Sequence, residues 1–138
     1  MGTIRETVLY YTPKKNRHTN KLKAVLIQMG IRIRNVTPDQ FGQKVGYLAG
    51  MEGYGDASIQ EGDIDIPQEI LVMKGFSERR MDELLLRLRK SGIPRISLKA
   101  VVTDTNADWS FYQLYREISE EHRQMHSASS SNPVHSEI

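Results

Sequence analysis

The chain has 138 residues, of which 38% are hydrophobic and 26% charged, with no cysteine and a formal net charge of +2. That length suits one domain able to bury a real core. The lack of cysteine excludes disulfides, thiolate metal sites, iron–sulfur clusters and thiol nucleophiles. No apolar run approaches the roughly 20 residues a membrane span needs. The opening residues Met1–Glu6 lack the apolar core of a secretory signal, so the cytoplasm is the expected location and no membrane is expected as a partner.

The charge is segregated. Residues 1–36 carry eight Lys/Arg and one acid, residues 37–69 one Lys and seven acids, and the remainder is nearly balanced. A basic first quarter suits an anionic ligand, or answers the acidic middle segment within the molecule or across a dimer. Lys14, Lys15, Arg17, Lys21 and Lys23 spread around the first helix without forming one stripe, so the pattern does not favour nucleic acid.

In chain order, Thr7–Thr12 reads as a strand, with Val8-Leu9-Tyr10-Tyr11 at its centre. Leu22, Val25, Leu26 and Met29 then recur at helical spacing, giving a helix over 17–29 that Gly30 stops. Residues 31–36 alternate apolar with Arg32 and Arg34, as an edge strand does. Thr37-Pro38-Asp39 starts a short helix expected to reach Ala49. Its Gly42 and Gly46 weaken it by about 1 kcal/mol each relative to Ala and point to close packing.

Met51–Gln68 reads as a long acidic loop, and Ile70-Leu71-Val72-Met73 as a second fully apolar strand. Ser77 caps a helix over 78–90 with Leu84, Leu85 and Leu88 on one face, and Gly92 stops it. Arg95–Val102 reads as a strand with Ile96, Leu98, Ala100 and Val102 on one side. Ser110 caps a last helix to about Gln124, its inner face Phe111, Leu114, Tyr115 and Ile118. The Ser-rich tail 127–138 is expected to be disordered.

Sliding the chain by 62 residues superimposes Val8–Ile31 on Ile70–Ile93 without gaps and with six identities. Strand, helix and stopping glycine fall in register. After Pro94 is skipped, Arg32 and Ile33 meet Arg95 and Ile96. The sequence therefore divides into one domain, 1–126, made of pseudo-repeats 7–50 and 69–124 around the acidic loop 51–68. The implied fold is α/β: a three-layer sandwich on a four-stranded, mostly parallel sheet from two β-α-β-α units, order 2-1-3-4. Right-handed crossovers put two helices on each face. A ferredoxin-like β-α-β-β-α-β sheet with extra helices is the alternative.

In a parallel sheet of that order, the exits of strands one and three meet at one rim, where ligands bind. Thr12, Lys14 and Lys15 from the first unit and Lys74, Gly75 and Ser77 from the second would line it beside two helix amino-termini that favour anions. Thr103, Thr105 and Asn106 follow strand four in a stretch that also reads as a well-capped loop packed down by Trp109. These nine residues are the candidate ligand set. His122 and His126 are four apart, a spacing that can bind a metal, but no third ligand accompanies them. No Ser-His-Asp order, Walker loop or dinucleotide fingerprint is present, so no catalytic residue, metal or cofactor is assigned.

The stretch Ile70–Ser77, then Gly92-Ile93-Pro94, Leu98–Thr103, Thr105-Asn106 and Trp109, resembles a small bacterial family described only as a domain of unknown function. Gln43–Gly50 is similar to a segment that precedes the acidic loop there. The resemblance spans most of residues 7–122 and implies a compact bacterial cytoplasmic α/β protein with no established activity. The leading functional expectation is a non-enzymatic regulatory domain that binds a small anionic ligand or a protein partner. An enzyme acting on a small phosphate- or carboxylate-bearing substrate is one alternative. A structural interaction module, for example a homodimer, is the other.

Overall fold

The computed structural model describes residues 6–56 and 65–131. Its elements are β1 (Thr7–Tyr11), α1 (Arg17–Gln28), β2 (Arg32–Asn35), α2 (Val45–Leu48), β3 (Ile70–Lys74), α3 (Glu78–Lys90), β4 (Leu98–Val101) and α4 (Phe111–Ser131). The sheet order is 2-1-3-4. β1–β2 and β3–β4 are parallel, and the central pair β1–β3 is antiparallel, with Leu9 opposite Val72. The ferredoxin-like alternative is not adopted.

Side chains on a strand alternate between faces, and both faces of this sheet are covered. Val8, Tyr10, Leu71 and Met73 face α1 and α3, packing on Leu22, Leu26, Leu84 and Leu88. Leu9, Tyr11, Ile70 and Val72 face the other way, onto Phe41, Val45, Leu48, Phe111 and Leu114 from the α2 segment and α4. Each fully buried aliphatic side chain contributes about 1.5–3 kcal/mol, so these two layers hold the fold. Two helices lie on each face: α1 and α3, the crossovers of the two parallel pairs, for which a right hand is the rule, and α2 and α4 opposite them. Because β3 runs against β1, the same hand places α1 and α3 on one face together.

Local chemistry sets the helix ends. The Asn16 carboxamide accepts from His18 N–H at 2.8 Å and Thr19 Oγ1 accepts from Asn16 N–H, a reciprocal cap for α1. Ser77 Oγ accepts from Arg80 N–H to cap α3, and Ser110 Oγ accepts from Gln113 N–H to cap α4. Gly30 and Gly92, at φ +74° and +81°, end α1 and α3 in the left-handed conformation that L side chains resist.

Four expectations are corrected. The helix expected from Pro38 to Ala49 is a 3₁₀ turn at Pro38–Gln40 and a separate four-residue α2. Main-chain bonds to the start of α4 hold the break: Phe111 N–H donates to Gln43 and Tyr112 N–H to Phe41. β4 begins only at Leu98, so Ile96 packs on the α3 face while Leu98 and Ala100 pack on the α4 face. That delay shifts the repeat. Val8 pairs with Ile33, and the equivalent Ile70 pairs with Leu98, two residues beyond the Ile96 of the sequence alignment. Finally, α4 runs on to Ser131, so residues 127–131 continue the helix. An established helix adds one hydrogen bond per residue, and serine is a middling helix former that does not stop it. Residues 132–138 of the expected tail, and 57–64 of the acidic loop, lie outside the described residues.

Gly46 packs as its sequence position suggested. A Cβ there would meet the Tyr54 ring at 2.8 Å. Gly46→Ala is expected to lower stability by about 1–3 kcal/mol in urea unfolding, because the ring must move away. An unchanged midpoint would show that Tyr54 is free to shift.

Candidate functional site

The antiparallel central pair divides the nine candidate residues between two ends of the molecule. Thr7 is opposite Lys74 and Tyr11 opposite Ile70. The exits of β1 and β3 are therefore separated by the length of a five-residue strand, about 13 Å. Thr12, Lys14 and Lys15 lie at one end. Lys74, Gly75 and Ser77 lie at the other, together with Thr103, Thr105 and Asn106, since β4 runs parallel to β3. No single rim gathers Lys14, Lys15 and Lys74.

The β3–β4 end is occupied with holding its own shape. Gly75 sits at φ +83° in the turn before α3. The Ser77 hydroxyl is used as the α3 cap. Asn106 is buried and bonded at both ends of its carboxamide: its Oδ1 accepts from Thr103 N–H at 2.8 Å, its Nδ2 donates to Val101 C=O at 2.9 Å, and its own N–H donates to Thr103 Oγ1 at 3.0 Å. Nearby, the Arg80 guanidinium makes a two-pronged bond to Glu6 at 2.7 and 2.8 Å and also donates to Met29 C=O. That group ties the start of β1, the end of α1 and the start of α3 into one unit.

The β1–β2 end differs. The two strands are parallel, so their carboxyl ends open together beside the amino-terminus of α1. Between them lies a cleft of about 380 Å³ lined by Thr12, Lys15, Thr19, Lys23, Asn35 and Thr37, with Tyr10 among the residues behind it. Among the described residues, neither Lys15 nor Lys23 has a carboxylate within ion-pair distance. The positive end of the α1 dipole adds to their field. Lys14 follows on the exposed turn, where its carbonyl accepts from Thr12 Oγ1 at 3.0 Å.

The base of the cleft is polar. The buried Tyr10 hydroxyl donates to the Glu69 carboxylate, and Tyr11 donates to Ile66 C=O at 2.8 Å. Burial pushes the Tyr10 phenol well above its ordinary pKa, and the bond to Glu69 and its negative charge push it further. The Thr19 and Thr12 hydroxyls beside it pull the other way. Glu69, which does not itself line the cleft, is thus engaged by Tyr10, while the two lysines line it. The arrangement can bind an anion by lysine charge and hydroxyl or carboxamide donors.

Thr19, Lys23, Asn35 and Thr37 were not in the sequence-derived set. The signal for them was available. Ligands bind at the carboxyl ends of parallel strands, and β1–β2, joined by the first helix, is the pair for which parallel pairing follows from a right-handed crossover.

Comparison with known proteins places the second half of the chain. Residues 69–125 match the family model of a domain of unknown function, DUF3783. The DUF3783 match covers less than half of the chain and coincides with β3, α3, β4 and most of α4. It brings no activity with it. No curated protein and no solved structure matches the chain at a significant level. Among the described residues, no helix is long and apolar enough to cross a membrane.

Proposed function

We propose that the protein is a non-enzymatic regulatory domain that binds a small phosphate- or carboxylate-bearing ligand in the β1–β2 cleft. The observation that carries the reading is the pair Lys15 and Lys23, without ion-pair partners among the described residues, facing one cleft with Thr12, Thr19 and Asn35. Charged donors held near neutral donors are what an anion requires, and the α1 terminus supplies a favourable field. A bacterial cytoplasmic setting fits this reading, supported by the resemblance of the second unit and by the absence of cysteine. Descent of the two β-α-β units from one duplicated unit is supported by their matching helix stops and by their head-to-head meeting at β1–β3.

Thermal unfolding with inorganic pyrophosphate and with citrate tests the ligand. An anion at 100 times its Kd stabilises by about 2.7 kcal/mol. For a chain of this size each kcal/mol moves Tm by roughly 3–5 °C. Lys15→Glu with Lys23→Glu should abolish the shift, whereas Lys74→Glu, at the far end of the sheet, should leave it intact. If neither anion moves Tm, or if Lys74→Glu removes the shift as fully as the cleft variant does, the assignment to this cleft is wrong.

A further inference from the structure

We infer that the outer edge of β4 is a docking site for an extended acidic segment of another protein, which adds to the sheet as a fifth strand. β4 ends the sheet, with no strand on its far side among the described residues. Main-chain groups of successive strand residues point to opposite edges. Val102 N–H donates to Met73 C=O on β3, so the C=O of Val101 in the same peptide unit points outward. The same alternation turns the N–H and C=O of Lys99 and the N–H of Val101 to the open edge. Val101 C=O is already taken by Asn106 Nδ2. Asn106 therefore closes the edge at that end and sets the register in which a new strand can pair.

The space along the edge is shaped for a strand. A groove of about 460 Å³ passes from Met73 and Leu85 on the α3 side around β4 to Ile118 and Met125 on the α4 side, where Glu121 and His122 also line it, so the acids of an occupant belong on the α3 side. It adjoins a second cavity of about 470 Å³ against Leu88 and Arg89, and Leu85, Arg95 and Lys99 line both. Val101 and Met125 are exposed apolar side chains on this path, at 39% and 53%. The opposite edge of the sheet is blunted differently. β2 carries two arginines in four residues, Arg32 and Arg34.

Charge selects the occupant. Arg89, Arg95 and Lys99 stand together on the α3 side, and among the described residues none has an ion-pair partner. Lys99 is held below its ordinary pKa by burial and by Arg95, while its ammonium donates to Ile96 C=O. A strand with acids at alternate positions would set them against this cluster and turn its apolar residues toward Ile118 and Met125. Main-chain bonds would supply affinity and the alternating side chains specificity. A second copy of the chain fits less well. Pairing β4 with itself so that each face stays continuous sets Lys99 opposite another Lys99 or one pair away from it, and like charges so placed repel.

The test uses the full ¹⁵N-labelled chain and two acetylated, amidated heptapeptides, Asp-Val-Asp-Val-Asp-Val-Asp and its Lys-for-Asp counterpart. The acidic peptide should slow hydrogen exchange at the Lys99 and Val101 amides at least tenfold, and the basic peptide should not. Arg95→Glu with Lys99→Glu should weaken acidic-peptide binding at least tenfold. Val101→Pro removes an outward N–H without touching the β3 ladder and should do the same. Equal response to both peptides, or none, overturns the inference. So does slow exchange at these two amides in the free monomer, which would mean the chain covers its own edge. Concentration-dependent protection with a doubled hydrodynamic mass would make a second copy the occupant and overturn it equally.

Discussion

Replacing Asn106 with alanine should lower unfolding stability by about 2–4 kcal/mol, measured in urea at neutral pH. The side chain makes two bonds from one buried position, one to Thr103 N–H and one to Val101 C=O. A net hydrogen bond contributes only about 1 kcal/mol, but a partner left unsatisfied costs about 1–3 kcal/mol when it is out of water. Thr103 is exposed, as is Val101 at the strand end, so water will reach the stranded groups and the loss should fall short of the maximum. Aspartate separates the two bonds. Asn106→Asp keeps the acceptor for Thr103 N–H and loses the donor to Val101, and it sets a carboxylate against a carbonyl. It should be at least as damaging as alanine. If Asn106→Ala costs under 0.5 kcal/mol, the Thr103–Asn106 loop is held by Ala107 and Trp109 packing instead, and Asn106 is free for another role.

This loop also shows how much can be read from residue type. Thr, Asn and Ser at 103–110 announced a capped turn, and the structure has one. What residue type could not show is that Asn106 reaches back to the end of β4. That contact depends on where β4 stops, and the alternating residues 95–102 suggested a strand three residues too long at its start. Pro94 and Ser97 permit extended backbone without requiring pairing, so periodicity alone did not place the boundary.

The strand order followed from hydrophobicity. Val8–Tyr11 and Ile70–Met73 are apolar on both faces, so they belong in the middle, while Arg32 and Arg34 belong at an edge. Their relative direction did not follow. A central strand buried on both faces looks the same in either orientation. The segment between β2 and β3, whose Thr37-Pro38-Asp39 start suggests a helix to Ala49, would suit a parallel crossover. In the structure it is a 3₁₀ turn and a four-residue helix stitched to the start of α4, with Ile66 brought back beside Tyr11. That single unreadable direction moved Lys74 to the far end of the molecule. It dissolved the expected rim and left the β1–β2 cleft, which needs only one β-α-β unit, as the proposed anion site.

The floor of that cleft should govern stability in alkali. Tyr10 is 2% exposed, and its phenol is bonded to the Glu69 carboxylate. Burial first, then Glu69, raises its pKa in the folded state above the ordinary 10.0. In the unfolded chain the phenol loses its proton near pH 10, while the folded protein keeps it. The native state then binds more protons, so stability is full below pH 10 and falls as pH rises toward the folded value. The slope contributed by this one group approaches about 1.4 kcal/mol per pH unit. Tyr11, also raised by burial and by Asp65, adds in the same direction. Lys99, lowered by burial and by Arg95, works with the opposite sign just below its ordinary 10.5, where the unfolded chain still holds the proton that the folded one gives up. Tyr10→Phe should cost about 1–2 kcal/mol at pH 7, because a bond to a charged acceptor is lost while the half-buried Glu69 regains some water. Above pH 10 the variant should lose stability more slowly than the parent, so the two curves converge. Urea midpoints at pH 8, 10 and 11 would show this. Parallel curves over that range would mean that the Tyr10 hydroxyl reaches solvent and that the cleft floor is open.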